Sequence, residues 1–246
     1  DVVDAKKPDA PVLHDDLFTK GIDPAPDKPS NITERLHFGM GDVEKGFKEA
    51  DIIVEREFDT KPMHQGYIEP QGCVANYTED GQVELWCCTQ GHFVFRNRLS
   101  AVLKMDSSKI RVTQSELGGG FGGKGYAYPL MALPALVSKK IGGRPVMFRV
   151  SRAEEFYNGS ARAGFQGWVK IGFRANGKIT AIDSYIIQDN GPTTGFWDFQ
   201  NFGVAASVVF QPESMRYRGI PVLTNTPPKG PQRGPGENQT AHIMEP

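Results

Sequence analysis

Apolar and polar positions recur along this chain with periods that assign most of its elements. Over residues 41–50, Val43, Phe47 and Ala50 fall on one helical face and Glu44, Lys45, Lys48 and Glu49 on the other, with Asp42 placed to cap the first turn. Residues 52–58 alternate apolar and charged, the period of a strand. The β-rich runs 72–77 and 83–88 flank Glu79-Asp80-Gly81 and read as a hairpin whose second strand ends at Thr89-Gln90-Gly91. Residues 92–104 carry Phe95, Leu99, Val102 and Leu103 in a helical pattern, and a strand at 110–117 follows Asp106-Ser107-Ser108. A glycine-rich loop, 118–125, leads into an apolar helical run from Tyr128 to Val137, in which Pro134 should kink or end the helix. A second hairpin is predicted from 168–174 and 178–188, where Asn176-Gly177 supplies the positive φ of a tight turn. This order of elements implies an α+β fold with mixed sheets and hairpins packed by helices.

Residues 1–40 break the pattern: Pro8, Pro11, Pro24, Pro26 and Pro29 among repeated Asp favour irregular backbone, as expected of a connector. The domain expectation is therefore a connector over 1–40 and a larger unit, of one or two subdomains, over 41–246. A chain of 246 residues buries a core without staples. It opens at Asp1 with no initiator methionine, as a piece of a longer polypeptide would. Lys and Arg number 28 against 29 Asp and Glu, a formal charge of -1 that gives no general attraction for nucleic acid or anionic lipid. Cys73, Cys87 and Cys88 make neither a disulfide framework nor a Cys-x-x-Cys site, and a reducing, cytoplasmic setting is expected.

The chemistry concentrates in Gly118-Gly119-Gly120-Phe121-Gly122-Gly123-Lys124, set between a strand and a helical run where free backbone N–H groups could hold an anion. Read as Gly-x4-Gly-Lys it approaches a P-loop, but Gly125 stands where a hydroxyl should bind Mg²⁺. Read as Gly-x-Gly-x-x-Gly it approaches a dinucleotide fingerprint, but Arg144-Pro145 stands where the ribose-binding acid should be. A tight turn with no ligand is the plain alternative. Against it, Phe121 puts a large apolar ring among glycines, as a loop pressed against a bulky ligand would.

The segment 117–124 resembles the Gly-Gly-Phe-Gly loop of the molybdenum-binding subunit in the xanthine oxidase family, the molybdenum hydroxylases. Further matches follow the family's order. Thr89-Gln90 is similar to its Thr-Gln or Phe-Gln segment, and His64…Glu69-Pro70 to its His…Glu-Pro segment. Thr224-Asn225-Thr226-Pro227, then Gln232-Arg233-Gly234-Pro235-Gly236 and Gln239, resembles the Thr-Asn-x-Pro…Arg-Gly-Phe-Gly…Gln loop. Residues 2–16 resemble the stretch that closes the preceding hammerhead domain. The likeness runs along essentially the whole chain and implies the first molybdenum-cofactor-binding domain of a catalytic subunit.

The resemblance implies that Gln90 approaches an oxo ligand on molybdenum as a neutral amide donor. Gly119, Gly120, Phe121, Gly122 and Gly123 would lie along the pterin and the metal, with Phe121 and Gly122 nearest. Arg233 would bind cofactor oxygens through its fork of donors. In the substrate pocket the chain departs from purine-oxidising members: Gly125 replaces a substrate-orienting Glu, Asn201 stands near the place of a substrate Arg, and Pro235 replaces an aromatic clamp. Recognition of a polar ring needs paired hydrogen bonds, so xanthine is not the expected substrate. The cysteine of carbon monoxide dehydrogenases is also missing from the Arg233 loop. Trp197, Phe199 and Phe202 line an aromatic pocket in one reading and fill a core in the other.

The implied activity is oxidation of an aldehyde or a (hetero)aromatic substrate with water as oxygen source. The general-base glutamate would come from a C-terminal half not represented in this sequence, so none of these residues is expected to be catalytic and the chain alone is expected to be inactive. The implied cofactor is molybdenum–molybdopterin, with or without an added cytosine dinucleotide. 2Fe-2S clusters and FAD would sit in partner domains or subunits of an oligomer. A non-catalytic accessory or assembly module that keeps the fold is the alternative.

Overall fold

The computed structural model describes residues 1–126 and 129–245, apart from the side chain of Pro129. Tyr128, where the apolar helical run was expected to begin, and Pro246 lie outside the described residues. The chain divides into two compact units, His64–Ser160 and Asp1–Met63 with Ala161–Pro246.

The unit His64–Ser160 holds a four-stranded sheet in the order Ile110–Gln114, Val83–Cys87, Gly72–Tyr77, Val146–Arg149. The expected hairpin pairs Gly72–Tyr77 with Val83–Cys87 in antiparallel register, Cys73 opposite Cys87. Val83–Cys87 runs parallel to Ile110–Gln114. A parallel pair requires a crossover, and the helix His92–Leu103 supplies it. Alternation directs Cys73, Ala75, Val83, Leu85 and Cys87 to one face, where Phe95 and Leu99 of the crossover helix and Ala132 and Ala135 complete the core. The apolar run after the glycine loop differs from expectation. It begins as a 3₁₀ turn, Pro129–Ala132, and continues as the helix Leu133–Lys140. Pro134 lies in the first helical turn, where its missing N–H has no intrahelical partner to lose, so it opens the helix instead of ending it. The strand expected at 110–117 stops at Gln114.

The second unit is built on a five-stranded sheet in the order Leu36–Met40, Ser214–Leu223, Ile179–Gly191, Phe165–Phe173, Ile52–Asp59. Its strands Ile179–Gly191 and Ser214–Leu223 are parallel and are joined by the helix Asp198–Phe210. The second expected hairpin forms with longer strands than its apolar pattern marks. In its turn Gly177 alone takes positive φ, +83°, and the Asn176 side chain accepts the Lys178 N–H at 3.1 Å. The crossover helix packs Phe199, Phe202 and Ala206 onto Phe165, Ile182, Ile186 and Tyr217. A fully buried Phe contributes about 1.5–3 kcal/mol, and this settles the aromatic alternative. Phe199 and Phe202 are core, while Trp197 is 61% exposed.

Over much of their length residues 1–40 are irregular, as their prolines predict, but they include the helix Val2–Ala5 and the strand Leu36–Met40. Val2 and Ile32 are buried with Ile187, Ile220 and Val222, which fastens the stretch to the sheet.

Candidate cofactor site

The parallel pairing of Val83–Cys87 with Ile110–Gln114 brings both C-terminal ends to one edge, where ligands of such units commonly bind. Thr89-Gln90 continues from one end and the glycine loop from the other. The Gln90 N–H donates to the Lys124 carbonyl at 2.9 Å, and Thr89 Oγ1 donates to the same oxygen at 3.3 Å. Gln90 Oε1 in turn accepts the backbone N–H groups of Gly122, at 2.9 Å, and Lys124, at 3.2 Å. Only the amide oxygen can accept from two N–H donors, so the orientation of the amide is fixed. Its NH₂ group is the donor that this exposed side chain has left to offer. A Cβ on Gly120 would stand 2.4 Å from Gln90 Oε1, so the close fit of loop to amide depends on glycine there. Gly119 and Gly122 adopt φ of +89° and +103°, and Phe121 adopts +52°, a left-handed conformation that costs a residue with a Cβ about 1–2 kcal/mol. The Phe121 ring is nonetheless 38% exposed.

A buried network backs this loop. Lys124 is wholly buried and turned inward, its Nζ donating to Glu69 Oε2 at 2.6 Å and lying 4.8 Å from the centre of the Tyr67 ring. The same Glu69 oxygen accepts the Gly118 N–H at 2.9 Å. Burial opposes ionisation of Glu69, but the bonds from Lys124 and Gly118 outweigh it and hold the carboxyl below its usual range. A P-loop lysine reaches toward phosphates, whereas this one is spent on Glu69. Tyr67 Oη donates to Glu155 Oε1, and the Gln71 N–H donates to Glu155 Oε2 at 2.7 Å. Gln71 Nε2 reaches the Gly123 carbonyl at 3.1 Å, and Arg152 donates to the Tyr67 carbonyl at 2.8 Å. The helix Arg152–Asn158 thus holds the segment 64–71, which holds the loop. His64 Nδ1 accepts the Gly66 N–H at 3.0 Å, and burial lowers the imidazole pKa, so the ring is neutral near pH 7 and serves this scaffold.

In the other unit, Asp189 organises the Thr224–Pro227 turn. It accepts from Thr224 Oγ1 at 2.5 Å, from Thr226 Oγ1 at 3.1 and 3.0 Å and from the Gly191 N–H at 2.9 Å, with the buried Lys229 ammonium 3.5 Å away. Beyond it the loop carrying Arg233 is held by Arg162. Nε of Arg162 donates to Gln232 Oε1 at 2.8 Å, Nη1 to Gly234 O at 3.0 Å and Gln239 Oε1 at 2.8 Å, and Nη2 to Gln232 O at 3.4 Å and Arg233 O at 2.7 Å. Gln239 Oε1 also accepts the Gly236 N–H at 3.0 Å, while its Nε2 donates to Asp198 Oδ2 at 3.1 Å. Burial raises the Asp198 pKa to about 6, against the opposing pull of Gln239 and Arg162. Asn201 Nδ2 donates to the Pro235 carbonyl at 2.9 Å.

Of the expected site residues, Gln90, Gly119, Gly120, Phe121, Gly122, Gly123 and Gly125 therefore lie in one compact unit, and Arg233, Asn201 and Pro235 lie in the other. A cavity of about 820 Å³ borders the loop at Gly118 and Glu69, opening over Val74, Trp86 and Met147, but neither Gln90 nor Phe121 lines it. Arg162, Glu155 and Asp189 escape the sequence patterns, as does the pairing of Lys124 with Glu69, each of which lies in a motif segment. Their one signal is a charged residue set among residues that read as buried or turning. Among the described residues no cluster of three or more His, Cys, Asp or Glu could hold a metal ion, and no helix is long and apolar enough to cross a membrane. In one unit a fixed neutral amide donor beside a left-handed glycine loop, and in the other an exposed guanidinium on a braced loop, are each of a chemistry that suits oxo or phosphate oxygens, such as a pterin-borne metal carries.

The chain belongs to the molybdopterin cofactor-binding domain family, whose model matches residues 25–246. It is thereby the first such domain of the xanthine dehydrogenase type of molybdenum hydroxylase large subunit, an oxidoreductase family. It is 31% identical over 245 residues to a probable xanthine dehydrogenase subunit of Bacillus subtilis, covering 98% of this chain and 31% of that protein. To the nicotinate dehydrogenase large molybdopterin subunit of Eubacterium barkeri it is 27% identical, covering 98% of this chain and 54% of that one. Its fold matches a carbon monoxide dehydrogenase of Oligotropha carboxidovorans with a TM-score of 0.85 at 23% identity, over 100% of this chain and 32% of that chain. An aldehyde oxidoreductase of Desulfovibrio gigas matches with a TM-score of 0.85 at 22% identity, over 97% and 25% of the two chains. The chain thus spans between about a third and about a half of the length of these two curated relatives.

Proposed function

We propose that residues 1–246 supply one half of the molybdopterin site of a hydroxylase that oxidises an aldehyde or a (hetero)aromatic compound with water as oxygen source. The observation that carries this reading is the Gln90 amide, pinned through its oxygen by Gly122 and Lys124. When bound, molybdopterin supplies two-electron redox chemistry, and the protein supplies placement and hydrogen bonds. Gln90 presents its NH₂ to an oxo ligand, orienting it without adding charge. The loop 119–123 would hold the pterin, with Phe121 and Gly122 contributing to the cofactor site and the Phe121 ring excluding water. Arg233 offers its guanidinium to cofactor oxygens on the Arg162-braced loop.

Substrate selection follows from groups that are missing. Gly125 and Pro235 carry no polar side-chain atom, and the Asn201 Nδ2 donates to the Pro235 carbonyl. The lack of polar side-chain groups at Gly125 and Pro235 favours a substrate with few hydrogen-bonding edges over a purine. The general base, the 2Fe-2S clusters and FAD belong to partner domains or subunits of an oligomer. The engaged Asn201 also favours a second reading, a non-catalytic module that keeps the fold.

The test is molybdenum and pterin content of the intact, cofactor-bearing protein after Gln90→Ala and after Arg233→Ala. The proposal expects both to fall with little change in folding. Normal content in both variants overturns it. Normal content in the native protein with no turnover of aldehydes or heteroaromatics selects the module.

A further inference from the structure

We infer that Arg162 is a positioning residue, which sets the backbone that carries Arg233 from a place about seventy residues earlier in the chain. The inference rests on the proposed role of Arg233 as a cofactor contact.

A guanidinium has five N–H donors, and in Arg162 all of them are used. The acceptors are three consecutive carbonyls, of Gln232, Arg233 and Gly234, and the side-chain oxygens of Gln232 and Gln239. The residue is 8% exposed, so these bonds are made away from competing water. Five bonds from one rigid plane fix the path of residues 232–234 from the inside, while the Arg233 side chain lies on the exposed side. Gln239 ties the arrangement to the fold by bonding Arg162, the Gly236 N–H and Asp198 together. Gly234, at the end of this segment, adopts a φ of +67° that glycine takes at no steric cost.

Lysine cannot replace this arginine. Its ammonium has three donors at a point and no fork, so at least two of the five acceptors would lose the donor that Arg162 gives them. Local sequence shows none of this, since Arg162 sits in a plain Ser-Ala-Arg-Ala stretch.

The test is a double-substitution cycle in the intact, cofactor-loaded protein. Arg162→Lys, Arg233→Ala and the pair are compared for the rate of pterin release, followed by pterin fluorescence, with circular dichroism melting run in parallel. Arg162→Lys is expected to speed release about tenfold to a hundredfold, as loss of outer-sphere support does. In the Arg233→Ala background it is expected to add nothing, because Arg162 acts through Arg233. A purely structural arginine would instead speed release by the same factor in both backgrounds, and that additivity overturns the inference. So does unchanged release in Arg162→Lys beside fast release in Arg233→Ala. If Arg233→Ala itself releases pterin at the native rate, the role of Arg233 fails first and takes this inference with it. Should Arg162→Lys not fold, Gln232→Ala removes only the Nε partner and is read against the same criteria.

Discussion

The side-chain oxygen of Gln90 lies 2.9 Å from the backbone nitrogen of Gly122, so the expected metal-facing amide and the glycine loop form one hydrogen-bonded object. Gln90→Glu separates its two functions. A carboxylate still accepts from Gly122 and Lys124 but replaces the outward NH₂ with negative charge. The melting temperature should stay close to native, while turnover of the loaded enzyme should fall about tenfold to a hundredfold, the equivalent of about 1.5–3 kcal/mol for a lost hydrogen bond to a charged group. Native turnover in Gln90→Glu would remove the amide donor from the account.

The Glu69–Lys124 pair should respond unequally to loss of either partner. Glu69→Ala strands an ammonium with no exposure, at a cost of about 3–5 kcal/mol. Lys124→Met leaves a carboxylate that is 38% exposed and still bonded to Gly118, costing about 1–2 kcal/mol. Urea unfolding of both variants checks the order, and equal losses would mean that the lysine reaches water.

At Phe121 the backbone favours a residue without a Cβ. Phe121→Gly should be more stable than Phe121→Ala by about 1 kcal/mol, the reverse of the order at an ordinary position. Thermal unfolding of the two variants measures it. Both should retain cofactor less well than the native chain, which would place the aromatic ring in ligand contact at the expense of backbone strain.

Asp198 makes stability depend on pH. Its carboxyl titrates near 6 in the fold and near its ordinary value of 3.8 when unfolded, so burial of the charge costs nothing below about pH 4 and its full amount above pH 6. A difference of this size corresponds to about 2–3 kcal/mol. Asp198→Asn should match the native protein near pH 4 and exceed it in stability as pH rises through 6, as measured by chemical unfolding across that range. A constant difference would mean that Arg162 and Gln239 fully offset the buried charge.

Legibility in the sequence followed the range of the interactions. The first hairpin, the helix His92–Leu103 and the strand Ile52–Asp59 are written in local periodicity and appear where it marks them, and the second hairpin forms around its marked turn with longer strands. Pro134 misleads because a proline opening a helix and one ending it differ only in where the first turn begins, and a preceding 3₁₀ turn hides that point. Leu36–Met40 is missed although Leu36, Phe38 and Met40 alternate with His37 and Gly39, because it ends a proline-rich stretch that reads as irregular throughout. In the candidate site the outward-facing residues, Gln90, Phe121 and Arg233, carry recognisable motifs. Of the residues that brace them, Glu69, Lys124 and Gln239 lie in motif segments without their bracing role being readable there, and Arg162 and Glu155 lie in none. Lys124 looks like a phosphate ligand until Glu69 is seen beneath it, and Arg162 and Glu155 act through backbone groups whose identity leaves no trace in composition.

The central proposal is that Gln90 and Arg233 each contact molybdopterin. A crystal structure of the cofactor-loaded protein tests it directly. The account predicts Gln90 Nε2 and the Arg233 guanidinium each within hydrogen-bond distance of oxygens of the cofactor, with Phe121 and Gly122 against it. Density for the cofactor that leaves either side chain in solvent would contradict it.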